Sequence, residues 1–465
     1  MKIYFFDDQR IATRVNTNRV YGFPKPIEEE QENNCASFGL PVVIKGTKLA
    51  PYIMYSLQSK EVMYNGKMQN KTFHVMSKSD DCINWTPLNN NLQLEGKYFD
   101  NQILPLGEFS DILTVIYNDK EKEDKFRLFV CSFDWERGDY ELKDRMFVSK
   151  DGISFKEKPC NLNKDGCEAY AGSYYNHLKD CYTFIIRPAW ADRRAAITET
   201  KDFINFSKIK LAIQVDSLDA REEEIYGMPT FNFGDIFIGL PHVFHTTSVD
   251  YGLANKYKGG HMDFQLAYSY DGEVFQRSLR EPFIKRGTPS DLSYGMISCY
   301  SVTEIDDYYI FTCNITTSQH AFKTPNSKSM IKSYKLEKDR FIGLEAIGGE
   351  AVLKTRGLIF KKNNLAINIE VPYGYATARL VDDDIKKVVE GFDFEDCDMF
   401  YGNSHKWMPK WKKDIMEVSN RVLSLEIKYF NGIIWDIHGD FIISYTTMAA
   451  RRYNNFKILP PDNIF

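Results

Sequence analysis

Ser149-Lys-Asp-Gly-Ile-Ser-Phe155 and Ser269-Tyr-Asp-Gly-Glu-Val-Phe275 are two copies of one pattern: Ser/Thr-x-Asp, three further residues, then an aromatic. The same pattern reads Ser79-Asp-Asp-Cys-Ile-Asn-Trp85 and Thr200-Lys-Asp-Phe-Ile-Asn-Phe206, so its aspartates stand at 81, 151, 202 and 271, with intervals of 70, 51 and 69 residues. Each copy follows a strand-like stretch such as 73–76, 145–148 or 264–268. An aspartate at this spacing can accept hydrogen bonds from amides of its own turn, and Gly152 and Gly272 offer the left-handed backbone that a tight turn needs. A degenerate fifth copy surrounds Asp339, 68 residues after Asp271.

Between the copies lie alternating stretches rich in Tyr, Phe, Ile and Val (112–117, 126–133, 182–187, 236–244, 308–312), broken by Gly, Asn and Asp, with almost no helical periodicity. About four strands per 50–70 residues, repeated five times, predicts an all-β chain: a five-bladed β-propeller over residues 1–342. The strand-like segment 2–6 is expected to complete its last sheet. After Asp339 the repeat stops and period-two strands continue through 422–428 and 433–437, which predicts a C-terminal β-sandwich over 343–450 and a tail over 451–465.

Composition narrows the function. The 465 residues carry 59 Lys+Arg against 64 Asp+Glu, a formal net charge of −5, so nothing favours a polyanion and no nucleic acid is expected as partner. At 43% hydrophobic and 14% aromatic residues the chain can bury large cores. The apolar run at the N-terminus is four residues long and ends in Asp7-Asp8, too short for a signal peptide, and no stretch approaches a membrane span, so a cytoplasmic protein without membrane attachment is expected. Nine scattered cysteines without a Cys-x-x-Cys fit free thiols and no metal site. Dinucleotide, phosphate-loop, serine-hydrolase and zinc-protease motifs are absent.

The order of several segments resembles the five-bladed propeller glycosidases of glycoside hydrolase families 32 and 43, which often carry a C-terminal β-sandwich, and more closely a group of bacterial family-32-like proteins mostly without assigned functions. These segments are Phe5-Phe-Asp-Asp-Gln-Arg-Ile-Ala12, the Asp turns, Ile225-Tyr-Gly-Met-Pro229, Phe275-Gln-Arg277, and Pro282-Phe-Ile-Lys-Arg-Gly287. They continue with Asp339-Arg-Phe-Ile-Gly-Leu-Glu-Ala346, Gly391-Phe-Asp-Phe-Glu-Asp-Cys-Asp398 and residues 435–441. The turn is also similar to the Asp-box of sialidases, but its aromatic follows the aspartate by four residues instead of five. Family-32 signatures (Trp-Met-Asn-Asp-Pro-Asn-Gly, Arg-Asp-Pro, Glu-Cys-Pro) are missing, so the resemblance implies sugar chemistry and assigns no catalytic residue.

Propeller sites lie on the axis, where each blade's innermost strand begins. Those starts are expected near 33–39, 99–104 or 111–117, 168–175, 222–229 and 290–300, beside Glu32, Asp100 or Asp111, Glu168, Glu224 and Asp291. Glycoside cleavage needs two converging carboxyls, one as acid and one as base or nucleophile. The catalytic candidates are therefore Glu224, Asp291, Glu168 and Asp100. Glu224 leads them, because it precedes Tyr226-Gly-Met and Asp291 precedes the echo Tyr294-Gly-Met296. Arg187 and Arg193 can hold a uronate, sulfate or other anion; Trp190 and Tyr226 can stack on a sugar; His320 and His242 lie near strand ends. Each also has a structural reading: an ion pair for the arginines, core filling for Trp190, a satisfied core imidazole for the histidines.

The expected activity is hydrolysis of short oligosaccharides by an axial carboxylate pair; a phosphorolytic enzyme and a non-catalytic glycan-binding propeller are the alternatives. The expected partner is a carbohydrate, with homo-oligomerisation left open. No cofactor is required, and nothing specifies the axial Ca²⁺ that such folds can hold.

Overall fold

The computed structural model describes residues 1–28, 39–64, 66–106, 109–132, 143–162, 168–188, 190, 193–220, 223–246, 259–320 and 326–444. It is all-β. Two single 3-10 turns, Phe394–Asp396 and Ile415–Val418, are the helical elements among the described residues. Among the described residues no helix is long and apolar enough to cross a membrane. The chain forms two compact units, residues 23–337 and residues 1–22 with 338–465.

In the first unit the Asp repeat sets the architecture. Four antiparallel sheets have four strands each: Val42–Lys45 to Thr86–Pro87, Phe109–Tyr117 to Lys156–Lys158, Glu168–Asn176 to Lys210–Ile213, and a sheet of Thr230–Phe233, Ile236–Gly239, Ala267–Ser269 and Gln276–Arg277. Every Asp turn joins the third strand of its sheet to the fourth. The turn is built alike in all four: Asp81, Asp151, Asp202 and Asp271 each accept through Oδ1 from the amides two and three residues on, at 2.7–3.1 Å. The residue after each aspartate is left-handed, with φ of 62° at Cys82, 77° at Gly152, 62° at Phe203 and 70° at Gly272. Two blades use glycine there. The other two bury the Cys82 and Phe203 side chains in exchange for the strained backbone.

A fifth run of four antiparallel strands, Met296–Ile305, Tyr308–Thr316, Ser329–Glu337 and Lys25–Pro26, belongs to a seven-stranded sheet that continues through Gly260–Phe264, His242–Thr246 and Glu223–Gly227. Instead of five separate sheets there are thus four, and a larger one in which a three-stranded extension joins the innermost strand. Two of its strands, His242–Thr246 and Gly260–Phe264, form a hairpin inserted between the second and third strands of the fourth sheet; the third, Glu223–Gly227, precedes that sheet's first strand. The hairpin pairs in parallel with the innermost strand at Met262↔Met296. The first strands of successive sheets touch in a chain, from Met296–Ile305 to Val42–Lys45, Phe109–Tyr117, Glu168–Asn176 and Thr230–Phe233. This is the inner wall of a propeller.

The last sheet is closed by Lys25–Pro26, which pairs at Pro26↔Tyr334 and Lys25↔Lys335. The expectation that segment 2–6 would do this is corrected. Lys2–Tyr4 pairs with Ile433–His438 in the second unit, where Ile3 and Phe5 are fully buried. Asp339 makes no Asp turn either; its carboxylate takes Lys2 and Tyr4. Residues 1–22, expected within the propeller, therefore belong with the C-terminal β-sandwich.

That sandwich is one twelve-stranded sheet folded round a single apolar core. The 17-residue strand Ala366–Asp382 serves both layers, pairing through its first half with Ile433–His438 and through its second with Leu423–Phe430. Period-two alternation explains the folding: Ile367, Ile369 and Val371, then Ala376, Ala378 and Leu380, all point into the core. The seven described cysteines are free thiols.

Candidate functional site

Five of the ten singled-out residues meet where the second and third strands of the third sheet, Cys181–Arg187 and Ala195–Thr200, touch the three-stranded extension. Glu223–Gly227 puts Glu224 and Tyr226 on one face by strand alternation, and both are nearly buried. Arg193, just ahead of Ala195–Thr200, donates from Nη1 to Glu224 Oε2 at 2.7 Å. Its guanidinium lies over the rings of Tyr226 (5.2 Å) and Phe244 (5.3 Å). Arg187, the last residue of Cys181–Arg187, lies over Tyr226 at 5.2 Å as well. The Tyr226 hydroxyl meets His320 Nε2 at 3.0 Å, and His320 is tied in by its own amide, which donates to Gly260 O. Two cations, a carboxylate, a phenol and an imidazole thus share one aromatic-walled spot.

The other candidates do not join it. Asp291 is exposed, and its Oδ2 accepts from Thr288 N (2.6 Å) and Thr288 Oγ1 (2.7 Å); these bonds within the turn hold its carboxyl below the usual range. Asp100 is exposed in the loop before Asn101. His242 is fully buried, with Nε2 on the Cys299 carbonyl at 2.9 Å, and burial pushes its pKa down to about 4, so it is a neutral core imidazole. Trp190 is 45% exposed beneath Arg194, 5.7 Å from the guanidinium, and fills no core. Glu168 sits in Glu168–Asn176 with Arg187 as its register partner; its side chain lies outside the described residues, as do Glu32 and the Asp111 side chain.

The opposite face of the extension holds an ion network that sequence reading missed. His245 stands between two carboxylates, with Nδ1 2.9 Å from Glu223 Oε1 and Nε2 3.1 Å from Asp263 Oδ1. Burial opposes a charge on the ring, but the bonds to Asp263 and Glu223 outweigh it and push the pKa up to about 9. The His245 bond in turn lowers Glu223. Arg286 Nε approaches Asp263 Oδ2 at 3.5 Å. His261 is held down by burial, despite the bond from its ring to Gly295 O, and Arg286 adds to the effect. A signal for this network was present: Glu223 and Glu224 are neighbours at the start of one strand and so face opposite ways, and one of them had to face away from Tyr226. Among the described residues no group of three or more His, Cys, Asp or Glu could hold a metal ion.

Searches against family models and curated proteins found no match. Among solved structures, the chain is similar to an N-acetylgalactosamine deacetylase from F. plautii crystallised with blood group B trisaccharide (11% identity, TM-score 0.45, 70% of this chain and 97% of that one). It is similar also to a member of the GH130 family of mannoside phosphorylases, described as containing glycoside hydrolases that target β-1,2 mannosidic linkages in Candida mannan (12%, 0.40, 70% and 95%). A third is the family 32 β-fructofuranosidase of Bombyx mori (11%, 0.40, 89% and 93%). At these identities the chemistry of this chain has to be read from its own residues.

Proposed function

We propose that the chain is a glycoside hydrolase acting on short oligosaccharides, with its reaction centre at Glu224 in the propeller unit. The observation that carries this reading is the Arg193–Glu224–Tyr226–His320 cluster. There a carboxylate is held in a fixed direction by a guanidinium, beside an aromatic ring with a hydrogen-bonded hydroxyl. Arg193 orients Glu224, which suits its carboxylate to take a proton from an attacking water or to attack the anomeric carbon itself. The glycosidic C–O bond breaks, and the departing oxygen needs a proton from a second carboxyl. Glu168 is our choice for that acid, because its register partner Arg187 lies over Tyr226, two residues from Glu224. Asp291 and Asp100 drop out of the pair.

The two arginines around Tyr226 favour a substrate or co-substrate that carries negative charge, a uronate or inorganic phosphate. The test is turnover of aryl glycosides and short oligosaccharides, with and without phosphate, by wild type, Glu224→Gln and Glu168→Gln. Loss of turnover in both folded variants supports the pair. Turnover that needs phosphate makes the enzyme phosphorolytic. Full turnover in Glu224→Gln discards the centre, and glycan binding without turnover by wild type leaves a binding propeller.

A further inference from the structure

The described residues of the sandwich unit expose three large aromatic side chains, and all three stand at one place: Tyr373 (86% exposed), Tyr401 (64%) and Phe430 (41%). Sheet register brings them together. Ala366–Asp382 pairs with Phe400–Trp407 at Val371↔Gly402 and again at Ala376↔Phe400, so the four residues 372–375 bulge out opposite Tyr401. On the other side Tyr375 pairs with Phe430, their rings 6.0 Å apart. Glycines shape the backbone beside each ring. A Cβ at Gly374 would collide with the Phe430 carbonyl, one at Gly432 with the Glu370 carbonyl, and Gly402 has φ 102°. A bulge of this kind in a closely paired sheet is a built feature, and aromatics in water gather at one spot at a cost. Asn431 Nδ2 donates to the Tyr373 carbonyl at 3.1 Å, and Glu350 accepts the Tyr375 hydroxyl at 2.5 Å, so amide and carboxylate groups rim the patch.

We propose that Tyr373, Tyr401 and Phe430 form a second carbohydrate-binding surface, on the sandwich unit, that takes the rings of an oligo- or polysaccharide. A sugar presents C–H groups on a ring face and hydroxyls around its edge; tyrosines offer flat, amphipathic faces to the first, and Glu350 and Asn431 offer an acceptor and a donor to the second. The three exposed rings present about 400 Å², roughly half of the ~800 Å² that each partner gives to a standard protein interface, which argues against a second copy of the chain. Proline-rich peptides also dock on aromatic surfaces; the choice of sugar rests on the reading of the propeller unit as sugar-active.

Binding of the full chain to soluble β-glucan, xylan, arabinan, mannan and levan tests this, with aryl-glycoside turnover measured in the same variants. The Tyr373→Ala, Tyr401→Ala pair is expected to weaken retention by at least tenfold on one of the five, with unchanged melting temperature and turnover, while Tyr373→Phe, Tyr401→Phe and Glu224→Gln still bind. No retention of wild type on any of the five overturns the proposal, as does equal retention of the alanine pair. A dimer or a proline-rich peptide complex that the alanine pair abolishes, in place of glycan binding, overturns it too. Because turnover is read separately, loss of the Glu224 centre and loss of this surface are distinguished.

Discussion

Arg193 and Glu224, 31 residues apart, meet at 2.7 Å across the boundary between the third sheet and the three-stranded extension. Arg193 is the better exposed of the two side chains, at 25% against 11%. Leaving a nearly buried carboxylate without its partner is costly, while removing both groups is cheaper. Arg193→Ala is expected to destabilise by about 1–3 kcal/mol, and the Arg193→Ala, Glu224→Gln cycle to show a coupling of at least about 1 kcal/mol in urea unfolding. Additive single effects would mean that the pair holds nothing together.

His245 makes stability fall at alkaline pH. Its pKa is raised to about 9 in the folded state, against an ordinary value near 6.5, so its contribution is complete below about 6.5 and is lost as pH rises through 9. The linked loss is about 3 kcal/mol. Urea midpoints between pH 6 and 10 should drop in wild type and flatten in His245→Gln; parallel curves would show that the network does not protonate the ring.

His74 and His242 work in the other direction. Burial lowers them to about 3 and about 4, so both fold neutral. The stability they lend is present above about 6.5 and is lost as pH falls through those values, because the unfolded chain takes up protons that the native ring refuses. His242→Gln, whose amide can still donate to the Cys299 carbonyl, should unfold at a more acidic midpoint than wild type. An unchanged acid midpoint would count against a neutral buried ring.

Two left-handed glycines, one in a hairpin and one in an Asp turn, allow a controlled comparison of strain with packing. Gly66 and Gly152 share nearly the same backbone, φ 75° and 77°. A Cβ at Gly66 meets nothing within 4 Å, whereas one at Gly152 comes within 2.9 Å of the Tyr55 hydroxyl and the Phe126 ring. Gly66→Ala should cost about 1 kcal/mol from left-handed backbone alone, and Gly152→Ala should cost more by at least about 1 kcal/mol of crowding. Equal denaturation midpoints would refute the packing share.

The N-terminal strand makes a prediction that separates the units. Ile3→Ala or Phe5→Ala opens a cavity in the sandwich core and should cost about 2–5 kcal/mol. Hydrogen exchange should then quicken first in Ala366–Asp382 and Ile433–His438. Quickening in Ser329–Glu337 instead would return the N-terminal strand to the propeller.

Much of the architecture was legible from one seven-residue pattern, because the turn's hydrogen bonds span only two or three residues: Ser79, Asp81 and Asn84 carry everything they need in sequence. The site was half legible. Tyr226-Gly-Met drew attention to Glu224, and arginines at strand ends to Arg187 and Arg193, all of which meet. Asp291 shared the Tyr-Gly-Met echo but spends its carboxylate on Thr288, a local bond that the echo could not rank against the axis. The His245 network stayed hidden because its members, Glu223, His245, Asp263 and Arg286, are neighbours only once the hairpin is inserted beside Met296.

Short-range chemistry, then, was decided by the chain's own order: which residues turn, which alternate, and where strands repeat. Long-range pairing was decided by the tertiary structure, since an antiparallel strand offers its amides to any partner of matching pattern and only packing selects one. Lys25–Pro26 closes the propeller while Lys2–Tyr4 goes to the sandwich, because Ile3 and Phe5 find an apolar core there. By the same reasoning Tyr226 finds His320, 94 residues away, only because the extension brings Gly260–Phe264 beside Met296–Ile305.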